Sequence, residues 1–222
     1  MSIRTILVPL SGSEGCKGGV EAAARIATAF KAHLVALHVQ IDPGSAVPFI
    51  AEGLTADIVQ ELVTSAEREG VRKLERAKSI FQDICAEYDV VMGENFDGPS
   101  AEWMIRQGPL GDTVGRMARI VDLTVLPRPD PNIDPMSAGM LDDVLTRSGR
   151  AVLVAPSTLP ERLSRDIVIA WNGSAEAARA VADAMAFIER ADNVTVITIG
   201  DIKPERPDGE ALAHNLRAHG VR

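Results

Sequence analysis

The sequence predicts an α/β protein: a parallel sheet covered by helices, begun a second time after residue 164. Three observations predict it. Apolar runs rich in β-branched residues alternate along the chain with amphipathic helical patterns. The composition is 46% hydrophobic but only 4% aromatic, so the core is aliphatic, as suits strands buried on both faces. Finally, Arg4-Thr5-Ile6-Leu7-Val8-Pro9-Leu10-Ser11-Gly12-Ser13 aligns with Arg165-Asp166-Ile167-Val168-Ile169-Ala170-Trp171-Asn172-Gly173-Ser174, 161 residues later. Each copy continues into an Ala-rich helix and a second apolar strand, and Val35 falls on Val196 without a gap.

The elements follow in order. Strands are expected at Thr5 to Leu10, Leu34 to Val39, Trp103 to Arg106, Leu123 to Leu126, Ala151 to Ala155, Ile167 to Trp171 and Val194 to Ile199. Val20, Ala24, Ala27 and Phe30 share one helical face, as do Ala178, Val181, Met185 and Ile188. Thr55 to Tyr88 reads as a long charged helix with a stripe at Leu74, Ala77, Phe81, Ile84 and Tyr88, and Gly70 as a break or kink in it. Shorter helices are expected at Pro109 to Arg119, where Pro suits the first turn, at Ser137 to Arg147, and from Glu210 to His219. Pro127, Pro129, Pro131 and Pro135 make that stretch a loop, and Pro156-Ser157-Thr158-Leu159-Pro160 reads as an interdomain linker.

The expected organisation is a complete α/β domain over 1–156, a linker over 157–164, and the N-terminal part of a second domain over 165–222. Two strands alone would leave apolar surface bare. The second copy is therefore expected to be a truncated gene product, a fragment, or a half-domain completed by packing on the first domain or on a partner chain.

Charge and composition exclude several function classes. A net charge of −8 would repel a phosphate backbone, so nucleic acid is not an expected partner. No stretch reaches the apolar length of a membrane span, and strand residues begin directly after the N-terminus. Cys16 and Cys85 form no motif, and a cytoplasmic setting is the simplest expectation. His33, His38, His214 and His219 have no metal-ligand spacing, so no metal is expected. Ser11, Ser13 and Ser174 lack the surroundings of a nucleophile and read as helix N-caps. Gly12, Gly15, Gly18 and Gly19 lie between a strand and a helix but lack dinucleotide spacing; they read as a tight turn with close strand–helix packing. The helix around Arg68 to Lys78 reads as a mixed-charge face with an i,i+4 pair from Glu69 to Lys73. Trp103 and Trp171 read as packing residues, Trp171 at a strand end where it could also meet a ligand.

Taken as a set, several segments resemble the universal stress protein family. Ile6 to Ser13, the following Ala-rich helix and Leu34 to Val39 resemble that family's opening. Asp122 to Leu126 and Ala151 to Pro156 resemble its fourth and fifth strands. Ile169 to Ser174, with Ala177, Arg179 and Ala180, and the Ala213 to Val221 stretch resemble the second domain of tandem members. The resemblance implies a Rossmann-like, open five-stranded parallel sheet of order 3-2-1-4-5, with ATP or AMP bound at the C-terminal strand ends where the order reverses. It implies a nucleotide site of Pro9, Ser11, Gly12, Ser13, Val39 and Leu126 in the first copy, and of Ala170, Asn172, Gly173 and Ser174 in the second. It also implies a homodimer, protein partners and a stress-response role.

The sequence departs from the family pattern in two places. Ser11 and Asn172 stand where ATP-binding members carry Asp. The glycine-rich phosphate loop after the fourth strand is absent: Pro127, Asp130, Met140 and Leu141 occupy its key positions, with Gly139 one residue off. Proline offers no N–H to a phosphate, and Asp130 would repel one. The expected mechanism is therefore binding, with a nucleotide-free dimerisation or interaction module as the alternative. No carboxylate pair, general base or P-loop supports an ATPase.

Overall fold

The computed structural model describes residues 2–42, 55–95, 97–130, 132–134, 137–200 and 205–222. The chain divides into two compact units, Ile3–Leu159 and Pro160–Arg222 with Met1–Ser2. Pro131 and Pro135, read above as loop residues, lie outside the described residues.

In the first unit the strands are β1 (Thr5–Pro9), β2 (His33–Gln40), β3 (Val91–Met92), β4 (Ser100–Gln107), β5 (Leu123–Pro127) and β6 (Ala151–Ala155). Its helices are α1 (Lys17–Phe30), entered through a 3-10 turn at Glu14–Cys16, α2 (Ala56–Glu87), α3 (Leu110–Met117) and α4 (Ser137–Arg147). All strand pairs are parallel, in the order β3-β4-β2-β1-β5-β6. The five longer strands thus follow the expected 3-2-1-4-5 order. The sixth, β3, is a two-residue edge strand with Val91 and Met92 exposed, too short to register as a periodic pattern.

Burial follows the layering. Seven of the eight residues of central β2 are buried, since helices cover both faces. One face carries Leu7, Val35, Leu37, Val39 and Leu126 beneath Val114 and Ala118 of the α3 region and Met140 and Val144 of α4. Elsewhere in this core, Val20, Ala24 and Ala27 of α1 and Phe81 of α2 are fully buried. Asp122 fastens the N-terminal ends of β1 and β5: its Oδ2 accepts hydrogen bonds from the amides of Arg4 (2.8 Å) and Thr5 (3.0 Å) and from the Thr5 hydroxyl (3.1 Å).

Three local expectations change. Gly70 does not break α2, which runs unbroken for 32 residues; a Cβ there would meet nothing within 4 Å. The pair on that helix joins Glu69 to Arg72 at 2.7 Å, one residue short of the expected Lys73. β4 begins at Ser100, earlier than its aromatic centre at Trp103 suggested, because its register against β2 starts at His33.

The second unit holds β7 (Asp166–Ala170), α5 (Ala175–Ile188), β8 (Asn193–Ile197) and α6 (Gly209–Ala218), with β7 and β8 paired in parallel. Ile169, Ile188, Leu216 and Val221 form its buried cluster. On the opposite sheet face, Val168 is 62% exposed and Ile197 39%. The repeat is real in three dimensions but not gap-free. Leu7 pairs with Val35 in the first unit, whereas Val168 pairs with Thr195 in the second, so the second copy is one residue shorter between its strands. That puts Thr195, not Val196, at the position of Val35.

Candidate functional site

In an open parallel sheet a ligand binds beyond the C-terminal strand ends, where neighbouring strands connect in opposite directions. Here that point lies between β1 and β5. Pro9, Ser11, Gly12 and Ser13 follow one strand to it, and Val39 and Leu126 approach it along β2 and β5. Ala170, Asn172, Gly173 and Ser174 occupy the corresponding end of β7 in the other unit.

The turn after β1 is closed. Gly12 adopts a left-handed φ of +78°, and a Cβ there would collide with the Lys73 carbonyl oxygen and lie 2.8 Å from its carbon. The backbone of α2 therefore rests directly on the turn. The other glycines of the run mark close approaches as well. A Cβ at Gly15 would press on the Ile133 side chain at 3.2 Å, one at Gly18 would lie 2.5 Å from the Pro156 carbonyl oxygen, and one at Gly19 would lie 3.2 Å from the Pro127 nitrogen. Within the turn the Ser11 and Ser13 hydroxyls bond each other at 2.9 Å, and the Ser13 amide donates to Ser11 Oγ at 3.3 Å. Ser13 occupies the expected N-cap position, here of the 3-10 turn, but its side chain makes no cap bond; the hydroxyl is bonded to Ser11 instead. Val39 and Leu126 belong to one buried cluster.

The segment after β5 is also closed to an anion. Pro127 and Pro129 have no N–H. Of the amides that remain, several donate within the protein: Arg128 to the Ala155 carbonyl (2.7 Å), Ile133 and Asp134 to the Asp130 carbonyl (3.0 and 2.8 Å), and Ser137 to the Asp134 carbonyl (3.1 Å). Asn132 donates its amide to Asp130 Oδ1 at 2.9 Å, an Asx turn. Met140, at a glycine position of the family loop, is buried in the core. Sequence reasoning found the missing glycines but not these bonds, nor the Lys73 contact.

The second unit's turn differs. Gly173 keeps the left-handed φ, +68°, and packs against Arg206 and Pro207. Ser174 caps α5 by accepting from the Ala177 amide at 3.2 Å, and Asn172 Oδ1 accepts from the Ser174 amide at 3.0 Å. Trp171 is buried, and its indole donates to the Pro207 carbonyl at 2.9 Å. Ala170 and Asn172 are exposed, and Arg206 Nη1 lies 3.4 Å from the Asn172 carbonyl oxygen.

Other chemistry-bearing groups are structural. His33 Nδ1 lies 2.8 Å from Ser100 Oγ and its Nε2 3.9 Å from Glu102, an outline of a Ser–His–acid triad. Ser100 is fully buried, and its hydroxyl donates to the Asn95 carbonyl at 2.6 Å, so it latches β2 to β4 rather than facing a substrate. His38 stacks on Trp103 and bonds the Leu10 carbonyl at 2.9 Å through Nδ1. Burial holds its imidazole below the usual value, although the bond to Leu10 works against that shift. Burial pushes the Cys16 and Cys85 thiols up to about 11, far from reactive thiolates. Among the described residues no cluster of His, Cys, Asp and Glu could hold a metal ion, and no helix is long and apolar enough to cross a membrane.

Comparison with known proteins agrees with this architecture. No curated protein matches the sequence. Universal stress protein UspA from Lactobacillus plantarum is 20% identical with a TM-score of 0.50, over 70% of this chain and 99% of that one. A universal stress protein from Archaeoglobus fulgidus is 12% identical with a TM-score of 0.64, over 98% of this chain and 75% of that one. At such identities the likeness is one of fold. Residues 2–128 match the sequence model of the Universal stress protein family, and the chain belongs to that family.

Proposed function

We propose that this chain is a stress-response regulatory protein of the tandem universal stress type, acting in the cytoplasm through association with itself and with protein partners. In this reading Pro9, Ser11, Gly12, Ser13, Val39 and Leu126 shape a closed turn, and the first unit holds no ATP or AMP. The observation that supports it is the double closure beyond β1 and β5. The Lys73 backbone rests on Gly12, and several loop amides donate to Asp130, Asp134 and Ala155 carbonyls instead of outward. Seating a phosphate would break several of these bonds, each worth about 0.5–1.5 kcal/mol, beside the Asp130 and Asp134 carboxylates.

One observation favours a second reading, an adenine nucleotide at the second unit. Asn172 and Ala170 are exposed there, and the Arg206 guanidinium supplies a cation beside them. Calorimetric titration with ATP and AMP, with and without magnesium, separates the two. No saturable binding is expected at the first unit. Binding lost in Arg206→Ala supports the second reading. Binding lost in Ser11→Arg but kept in Arg206→Ala overturns the proposal.

A further inference from the structure

Two cations stand at the end of the first unit's sheet remote from Ser11. Arg4 directly precedes β1, and Lys31 lies two residues before β2. Both are exposed, and with Thr5 and His33 they line a cavity of about 320 Å³, at the small end of the range that holds small molecules. Neither cation takes part in an ion pair among the described residues. Two carboxylates touch the lining residues instead. Asp122 Oδ2 is taken up by the Arg4 and Thr5 amides and the Thr5 hydroxyl, and Glu102 Oε1 lies 3.9 Å from His33 Nε2.

The second copy holds the counter-ions that this place lacks. Thr5 pairs with His33 and Asp166 with Asn193, so Arg165 stands at the position of Arg4, Asp192 at that of Ala32 and Ala191 at that of Lys31. There Arg165 Nε lies 3.5 Å from an Asp192 oxygen and 3.8 Å from an Asp166 oxygen. In the first unit Thr5 and Ala32 replace those two carboxylates, and Lys31 adds a charge where Ala191 has none. One backbone frame therefore carries two carboxylates around its arginine in one copy, and a second cation beside a cavity in the other. Adjacent cations repel, whereas an arginine fork and a lysine ammonium on one cavity match two carboxylates. We propose that this cavity binds a small dicarboxylate. Its carboxylates supply the counter-charge that Asp166 and Asp192 supply in the second unit, one meeting the Arg4 guanidinium and the other the Lys31 ammonium.

Titration of the full chain with succinate at constant ionic strength, read from backbone amide NMR shifts, tests this. Saturable shifts are expected at the amides of Arg4, Thr5, Lys31 and His33, with a dissociation constant of about 1 mM. Acetate, with one charge, binds at least about tenfold more weakly. Lys31→Gln and Arg4→Gln, both at exposed side chains, each raise the succinate constant about tenfold or more while circular dichroism stays unchanged. Arg150→Gln, at an arginine before β6 that does not line the cavity, leaves it unchanged. No saturable shift at these amides overturns the proposal, and so does acetate binding as tightly as succinate. Equal losses in Arg150→Gln and Lys31→Gln also overturn it, because they mark a general attraction of anions. A blocked Asp-Asp peptide that binds more tightly than succinate overturns it too, since the carboxylates then belong to a protein partner. Ser11 lies beyond the opposite end of β1, so a nucleotide held there survives Lys31→Gln, and this inference and the functional reading fail separately.

Discussion

Replacing Gly12 by Ala tests the closed turn directly. Gly12 carries a φ of +78°, which costs an L side chain about 1–2 kcal/mol. The new methyl group would also strike the Lys73 carbonyl, backbone that yields only if α2 shifts. Forcing one carbon into such a contact costs about 1–3 kcal/mol more. The expected loss is therefore about 2–5 kcal/mol, a large part of a domain's typical 5–15 kcal/mol. Gly139→Ala supplies the control. It is an exposed helical position in α4 where a Cβ meets nothing within 4 Å, and the change should stabilise by up to about 1 kcal/mol. Urea titration followed by Trp103 fluorescence, in a Trp171→Phe background, reports on the first unit alone. If Gly12→Ala unfolds within about 0.5 kcal/mol of its parent, the α2 backbone does not rest on the turn, and the turn is open to a nucleotide.

Two further outcomes follow from buried groups. His38 is held below its ordinary value of 6.5, so the unfolded chain takes up its proton first as pH falls. Its contribution is full above about 6.5 and lost as pH drops from there through the folded value; urea midpoints measured across that window should decline less steeply in His38→Gln, and parallel profiles would refute the assignment. Cys16 and Cys85 should react with a thiol reagent only as fast as the first unit opens, and full labelling within the mixing time would show that either is not buried.

Much of the fold was legible because periodicity and repetition are local signals. The β1–turn–α1–β2 opening could be read from its apolar run, its Gly-Ser turn and its Ala-rich face, and the same pattern after residue 164 announced the second unit. The one-residue shortening could not be read. Val35 on Val196 satisfies an apolar alignment better than Val35 on Thr195 does, and only the strand register overrules it. β3 escaped because two residues carry no period. At the candidate site, the absent glycines and the prolines were visible in the sequence. The closure that replaces them depends on contacts without sequence pattern: Lys73 on Gly12 across 61 residues, and Asp130 gathering the amides of Asn132, Ile133 and Asp134. The glycines at 12, 15, 18 and 19 were the available hint, since each marks a place where something else comes near.

The exposed face of the β7–β8 sheet bears on how long the protein lasts. Among the described residues its two strands pair only with each other, and the buried cluster of Ile169, Ile188, Leu216 and Val221 is smaller than that of the first unit, so fewer apolar contacts resist its local opening. Opening free energies differ from one part of a chain to another, and degradation starts where they are lowest. A substitution that loosens the packing of Ile169, Ile188, Leu216 and Val221 is therefore expected to raise susceptibility to proteolysis in this unit first.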